Sequence, residues 1–217
     1  MLDYLDWSSW SAARASWRQW QLFRRVAPYT LVSREKLAAL CRMIATLERE
    51  GVPGAIVECG VFKGGAAAVM ARETGRRDVY LFDSFEGLPA PGPEDGDIAR
   101  RQFEPGWCAS TESDVAQAFA AAGAPTAGLH LVKGWFADTF PRTDVPAIAL
   151  LHVDADWYDS VRLCLETWFD RIVPGGFLVL DDYARWEGCT RATDEFLRSR
   201  GLPPLERTGS AGHYLRR

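Results

Sequence analysis

Ala147-Ile-Ala-Leu-Leu-His-Val-Asp-Ala-Asp-Trp-Tyr158 and Gly176-Phe-Leu-Val-Leu-Asp-Asp182 are two short apolar blocks, each closed by a pair of aspartates. Short apolar runs bounded by polar residues read as buried strands of a parallel sheet. Between them, Val161, Leu165, Trp168 and Ile172 fall on one stripe of a helix over residues 158–172, and Pro174-Gly175-Gly176 is expected to stop it. The unit is strand–helix–strand. It places Asp154 with Asp156, and Asp181 with Asp182, at the carboxyl edge of adjacent strands, where α/β folds bind ligands. Carboxylates gathered on one edge repel one another unless they are protonated or neutralised by a cation. A single aspartate there would read as a cap for the next segment; two matching pairs on one unit favour a cation site. Oxygen ligands without a cysteine or histidine cluster suit magnesium or a similar divalent ion better than zinc.

The rest of the chain fits an ordinary globular protein. Its 217 residues suit one α/β domain. A net charge of −4 supplies no overall basic field for nucleic acid. Arg14, Arg18, Arg24 and Arg25 cluster early, but tryptophans interrupt them. No apolar run approaches the length of a membrane span. Met1-Leu-Asp-Tyr-Leu-Asp6 lacks the basic start and apolar middle of a signal peptide. Cys41, Cys59, Cys108, Cys164 and Cys189 are odd in number and scattered. They suggest neither a disulfide framework nor a metal pattern, so a cytoplasmic location is the expectation.

Before the acidic unit, Trp7, Trp10, Trp17, Trp20 and Phe23 recur at helical spacing. Such a stripe is expected to pack on the domain or on a second subunit, as in a homodimer, in preference to forming a lid over a substrate. Pro28 ends that segment. Ser33 reads as the N-cap of a second helix with Leu37, Leu40, Cys41, Ile44 and Leu47 inward, ended by Gly51-Val-Pro-Gly54. In Ala55-Ile-Val-Glu-Cys-Gly-Val-Phe-Lys-Gly-Gly-Ala66 a strand leads through Gly60, Gly64 and Gly65 into a helix. A glycine loop there lets backbone approach a ligand at a helix N-terminus. Its spacing is not that of a dinucleotide fingerprint. Glu58 would repel a pyrophosphate and suit a cationic amine, such as the methionyl group of S-adenosylmethionine. Val79-Tyr-Leu-Phe-Asp83 is the second strand; Asp83 lies about 23 residues after Gly60, close to where an acid binds a ribose diol.

Residues 86–109 are rich in proline, glycine and charge, as an active-site cover would be. A helix over 114–122, a strand at Leu129-His-Leu-Val132, and Gly134-Trp135-Phe136, placed to stack an adenine, follow. Residues 190–200 read as a helix with Ala192, Phe196 and Leu197 inward, and 204–215 as a hairpin at the sheet edge. His152 shares a sheet face with Asp154 and is expected to be a satisfied near-core histidine in preference to assisting the base or binding substrate; His213 is expected to be structural or at the rim. Cys189 and Arg191 either border the acceptor pocket or begin a helix.

The order of glycine loop, ribose acid, stacking aromatic, two acidic pairs and hairpin resembles the class I S-adenosylmethionine-dependent methyltransferases. More narrowly, the chain resembles the macrocin O-methyltransferase family, metal-dependent enzymes that methylate sugar hydroxyls. The stretches that carry the resemblance are Tyr29-Thr-Leu-Val-Ser-Arg34, Gly51-Val-Pro-Gly-Ala-Ile-Val-Glu-Cys-Gly-Val-Phe-Lys-Gly-Gly65, Phe82-Asp-Ser-Phe-Glu-Gly-Leu-Pro89, Gly134-Trp-Phe-Ala-Asp-Thr-Phe-Pro141, His152-Val-Asp-Ala-Asp-Trp-Tyr158 and Val179-Leu-Asp-Asp-Tyr183. The chain has Phe62-Lys63 where the family commonly carries Trp-Arg.

The resemblance implies a Rossmann-like fold: a mostly parallel seven-stranded sheet, a C-terminal antiparallel hairpin and an N-terminal helical extension. One methyltransferase domain would span 1–217, with 1–50 as a helical cap and 51–217 as the catalytic core. Asp154, Asp181 and Asp182 would hold magnesium; Asp156, beside Asp154, would be the general base. Glu58, Gly60, Phe62, Gly64, Asp83, Ser84, Gly134, Trp135 and Asp154 would hold S-adenosylmethionine, with Thr30 and Ser33 near its methionyl end. The implied acceptor is a small molecule, a glycosylated natural product. Rival readings are methylation of a catechol or other vicinal diol, an NAD-dependent oxidoreductase, and a non-catalytic cofactor-binding partner. The missing dinucleotide fingerprint and Glu58 count against the oxidoreductase, and four aspartates against the binding partner.

Overall fold

The structure is a computed structural model that describes residues 7–208 and 212–217, with side chains for 17–207 and 212–217. Its elements in chain order begin with helices α1 (Trp7–Val26) and α2 (Arg34–Glu50), strand β1 (Ala55–Cys59), α3 (Gly65–Thr74) and β2 (Val79–Asp83). Then come α4 (Gly96–Gln102), α5 (Glu112–Ala122), β3 (Leu129–Lys133), α6 (Phe136–Thr139) and β4 (Ile148–Val153). The acidic unit continues with α7 (Tyr158–Trp168), β5 (Ile172–Leu180) and α8 (Glu187–Ser199), and the chain closes with β6 (Glu206–Thr208) and β7 (Gly212–Arg216).

The strands form one sheet in the order β3-β2-β1-β4-β5-β7-β6. The first five are parallel, and β7 runs antiparallel to both β5 and β6. Alternation along each strand splits the core in two. Ile56, Leu81, Leu150 and Val179 face one side, where α1, α2, α3 and α5 supply Phe23, Leu40, Met70 and Phe119. Val57, Phe82, Leu151 and Leu178 face the other, against Val161, Leu165 and Trp168 of α7 and Phe196 of α8. Because β1, β4 and β5 are covered on both faces, they read as mainly apolar runs, interrupted in β1 by Glu58 and in β4 by His152.

Registry brings the strand ends into one row. Cys59 pairs with Phe82 and with Val153, and Val153 with Leu180. The next residues, Gly60, Asp83, Asp154 and Asp181, therefore stand side by side at the carboxyl edge. The reversal of strand order falls between β1 and β4, which is where open α/β sheets place their crevice.

Several local expectations need correction. α7 ends at Trp168; a 3-10 turn over Phe169–Arg171 follows, and Ile172 already pairs with Ile148 in β5. Ile172 is therefore a buried strand residue, and Pro174-Gly175-Gly176 lies within β5 where the register shifts. A Cβ on Gly176 would come within 2.8 Å of the Ala149 carbonyl oxygen, so that bulge needs glycine. α8 starts at Glu187 instead of Thr190, and the cover over 86–109 contains α4. On α1, Phe23 is buried but Trp17 and Trp20 are 58% and 44% exposed, so the inward face runs through Leu22, Phe23 and Val26. The side chains of Trp7 and Trp10 lie outside the described residues.

Candidate active site

The row of strand ends opens into a cavity lined by the glycine loop, the aspartates and the cover. Glu58, Gly60 and Asp83 wall one pole; Asp154, Asp156 and Asp182 wall the other.

At the first pole, Gly60 has a φ of +87°, and a Cβ there would meet the Asp154 carbonyl oxygen at 1.8 Å. The close approach of β1 to β4 thus requires a glycine. Asp83 organises the loop that follows. Its Oδ2 accepts hydrogen bonds from the amides of Val61 at 2.7 Å and Phe62 at 2.9 Å, and its Oδ1 accepts from Phe85 at 2.7 Å. Phe62 is held at a φ of 51°, in left-handed backbone. Ser84, Gly134 and Trp135 also line the cavity, as does Thr30. Ser33 and Gly64, expected beside them, are not among its lining residues. The Ser33 hydroxyl caps α2 by accepting from Lys36 N, and Gly64, at a φ of +83°, turns the chain into α3. Each serves a helix start.

Glu58 is buried. Its Oε1 lies 2.9 Å from Nδ1 of the buried His152, and its Oε2 has no protein partner. Burial pushes the Glu58 carboxyl up, and burial also works against charge on His152, yet Asp181 and Glu58 raise His152 to about 9. The ring stands between two carboxylates, with Asp181 Oδ1 3.7 Å from its Nε2, so we take His152 as the cation of this group. His152 is buried, as its place in the strand suggested, but it is not fully satisfied: its Nε2 has no hydrogen-bond partner.

At the second pole, Asp154, Asp156 and Asp182 each offer an oxygen within 4.8 Å of the others, and His152, Asp154 and Asp181 form a second such group. Asp154 belongs to both. Burial together with Asp181 and Asp182 pushes Asp154 well up; burial and Asp181 raise Asp182. Burial and Asp182 bring Asp156 to about 8. Asp182 Oδ2 is buried without a partner. Asp156 sits on the turn after β4 at a φ of 53°, a conformation that costs an L-residue about 1–2 kcal/mol. Asp181 differs from the other three. Burial works to raise its carboxyl, but His152 and Lys36 outweigh it and hold Asp181 below the usual range. Lys36, from α2, donates to Asp181 Oδ2 at 2.6 Å and to its carbonyl oxygen at 2.7 Å.

The cover is tied down beside this pole. Buried Asp95 caps α7 by accepting from Tyr158 N at 2.6 Å, and Trp157 Nε1 donates to Pro89 O at 2.9 Å. Trp107, carried by the cover, meets Trp157 and Trp186 edge-on at 6.3 and 6.0 Å between ring centres. Trp107, in the cover, lines the cavity together with Arg185 and Trp186, which follow the second aspartate pair and had no sequence signal. Neither Cys189 nor Arg191 borders it. Cys189 is buried in α8, and Arg191 lies over the Tyr158 ring and pairs with Glu195. His213 is half-buried against the Tyr183 ring, 4.8 Å between centres.

The sequence profile of the macrocin O-methyltransferase (TylF) family matches residues 9–217. The 8-demethyl-8-(2,3-dimethoxy-alpha-L-rhamnosyl)-tetracenomycin-C 4'-O-methyltransferase of Streptomyces olivaceus is 31% identical over 198 residues, 87% of this chain and 75% of that one. Demethyldecarbamoylnovobiocin O-methyltransferase of Streptomyces niveus is 29% identical over 77% of this chain and 67% of its own. Among solved structures, the O-methyltransferase NovP superposes with a TM-score of 0.78 at 27% identity, covering 87% of this chain and 82% of that one.

Proposed function

The chain belongs to the macrocin O-methyltransferase family and is an S-adenosylmethionine-dependent O-methyltransferase; from that premise we propose that it methylates a sugar hydroxyl of a glycosylated natural product with the help of a divalent cation. The observation that carries this reading is that the glycine loop and the aspartates of the strand ends line one cavity. The rhamnosyl group in the name of the tetracenomycin relative supports a sugar acceptor.

The residues fit both bound groups. The unpartnered Glu58 Oε2 suits an ammonium, and Gly60, Asp83, Gly134 and Trp135 line the same cavity. Converging carboxylates pushed up by burial and by one another suit a hard cation. When bound, S-adenosylmethionine supplies an electrophilic methyl group and the cation lowers the pKa of hydroxyls it touches.

The chain's own residues do the rest. Glu58 and Asp83, with Thr30, Gly60, Phe62, Ser84, Gly134 and Trp135 around them, hold and orient the methyl donor. Asp154, Asp181 and Asp182 hold the cation. Asp156, on the turn after β4, takes the proton of the acceptor hydroxyl at a carboxylate oxygen. Trp107 and Trp186 shield the acceptor side from water. Most of the acceleration is alignment of the acceptor oxygen with the methyl group.

Incubation with S-adenosylmethionine, magnesium and paired acceptors, each glycoside beside its own aglycone and a simple catechol, tests the reading. Mass spectrometry should find one added methyl on the sugar of a glycoside. Methylation of catechols with every glycoside untouched would overturn it.

A further inference from the structure

Lys36 stands one turn into α2, directly after the Thr30–Val32 stretch that lines the cavity, and its ammonium reaches the end of β5. It is mostly buried: its side chain is 17% exposed and that of Asp181 9%. Two of its donors are engaged by one residue, Asp181 Oδ2 at 2.6 Å and Asp181 O at 2.7 Å. The Asp181 amide is also engaged, donating to Val153 O at 3.0 Å. Only Oδ1 is left, 3.7 Å from His152 Nε2. His152 is itself fixed by Glu58. Asp181 is thus clamped from two sides, and its Oδ2 and its carbonyl each accept a hydrogen bond from Lys36.

We propose that Lys36 is a positioning residue that makes Asp181 a one-oxygen ligand and so gives the acidic pole its preference for a small cation over a large one. The inference rests on the reading of that pole as a cation site. Large, flexible coordination shells, such as that of calcium, are built from six to eight oxygens and use bidentate carboxylates and backbone carbonyls. Lys36 draws Asp181 Oδ2 towards α2, so bidentate coordination by Asp181 would have to break a 2.6 Å ion pair. A small cation such as magnesium keeps several waters and needs only one or two carboxylates, so it loses little. The positive charge of Lys36 also offsets one of the four clustered carboxylates, which lowers attraction for any cation and leaves geometry to decide.

The test is calorimetric titration of magnesium and of calcium into the full chain saturated with S-adenosylhomocysteine, for wild type, Lys36→Met, Lys36→Gln and Lys36→Arg. Wild type should prefer magnesium. Loss of the ammonium should shift the magnesium-to-calcium ratio of affinities towards calcium by about 10-fold or more, the scale on which groups behind metal ligands act. Lys36→Arg, which keeps a cation and two donors, should hold the wild-type ratio. A role confined to folding would lower the melting temperature and weaken both cations together, and an unchanged ratio in both Lys36→Met and Lys36→Gln overturns the proposal. If wild type binds neither cation, the cation site itself is wrong, an outcome distinct from failure of the Lys36 role.

Discussion

Removing the Asp83 carboxylate should damage the protein before any ligand arrives. Three amides converge on it: Val61 and Phe62 on Oδ2, Phe85 on Oδ1. A hydrogen bond to a charged group contributes about 1.5–3 kcal/mol, so three at the lower limit give about 4–5 kcal/mol. Part of this is recovered. Without the carboxylate, Phe62 and Phe85, at φ of 51° and 61°, are both free to leave left-handed backbone, which returns about 1–2 kcal/mol each. The expected net loss for Asp83→Ala is therefore about 1–2 kcal/mol. That is a measurable share of a typical domain's stability of about 5–15 kcal/mol. Urea unfolding of the ligand-free protein should show it as a lower midpoint, by about 0.5–1 M, with the slope unchanged. Asp83→Asn keeps one acceptor oxygen and should fall between the two. Calorimetry with S-adenosylhomocysteine should then show weaker binding, because the loop that meets the ligand is no longer fixed in advance. An Asp83→Ala protein with the wild-type urea midpoint would refute the reasoning, because Asp83 would then be a ligand contact and not the anchor of the loop.

Two further outcomes follow from the acidic pole. Chelation with EDTA should abolish methyl transfer and added magnesium should restore it; full turnover in the chelated, metal-free protein would remove the cation from the scheme. Asp156→Asn should keep magnesium and S-adenosylhomocysteine affinity while turnover falls by about 10²–10⁴, the usual worth of a general base. Rescue of Asp156→Asn by high magnesium would make Asp156 a ligand instead, as its membership of the Asp154–Asp156–Asp182 group would then explain.

The sequence by itself determined the elements whose signals are local. Strand period and helical period are properties of neighbours in the chain, so β1, β2, β4, α2 and the glycine loop were legible, as was the placing of both aspartate pairs at strand ends. Ser33 as a cap was legible for the same reason, since its partner Lys36 N is three residues away. Where local signals competed, they misled. Ile172 continues the α7 stripe by spacing, but a 3-10 turn intervenes and pairing with Ile148 draws it into β5. Trp17 and Trp20 look like a buried stripe, but α1 turns Leu22, Phe23 and Val26 inward.

Only the tertiary structure decided who meets whom at the site. Registry between strands distant in sequence set His152 against Glu58, 94 residues apart, and helix docking brought Lys36 to Asp181 across 145. Asp83 reads in sequence as a ribose acid, yet its three amide partners depend on how the loop after Gly60 folds back over β2. The four aspartates look alike as letters. Burial raises Asp154, Asp156 and Asp182, while Lys36 and His152 lower Asp181, because charge and solvent around a carboxylate are set by groups remote in the chain.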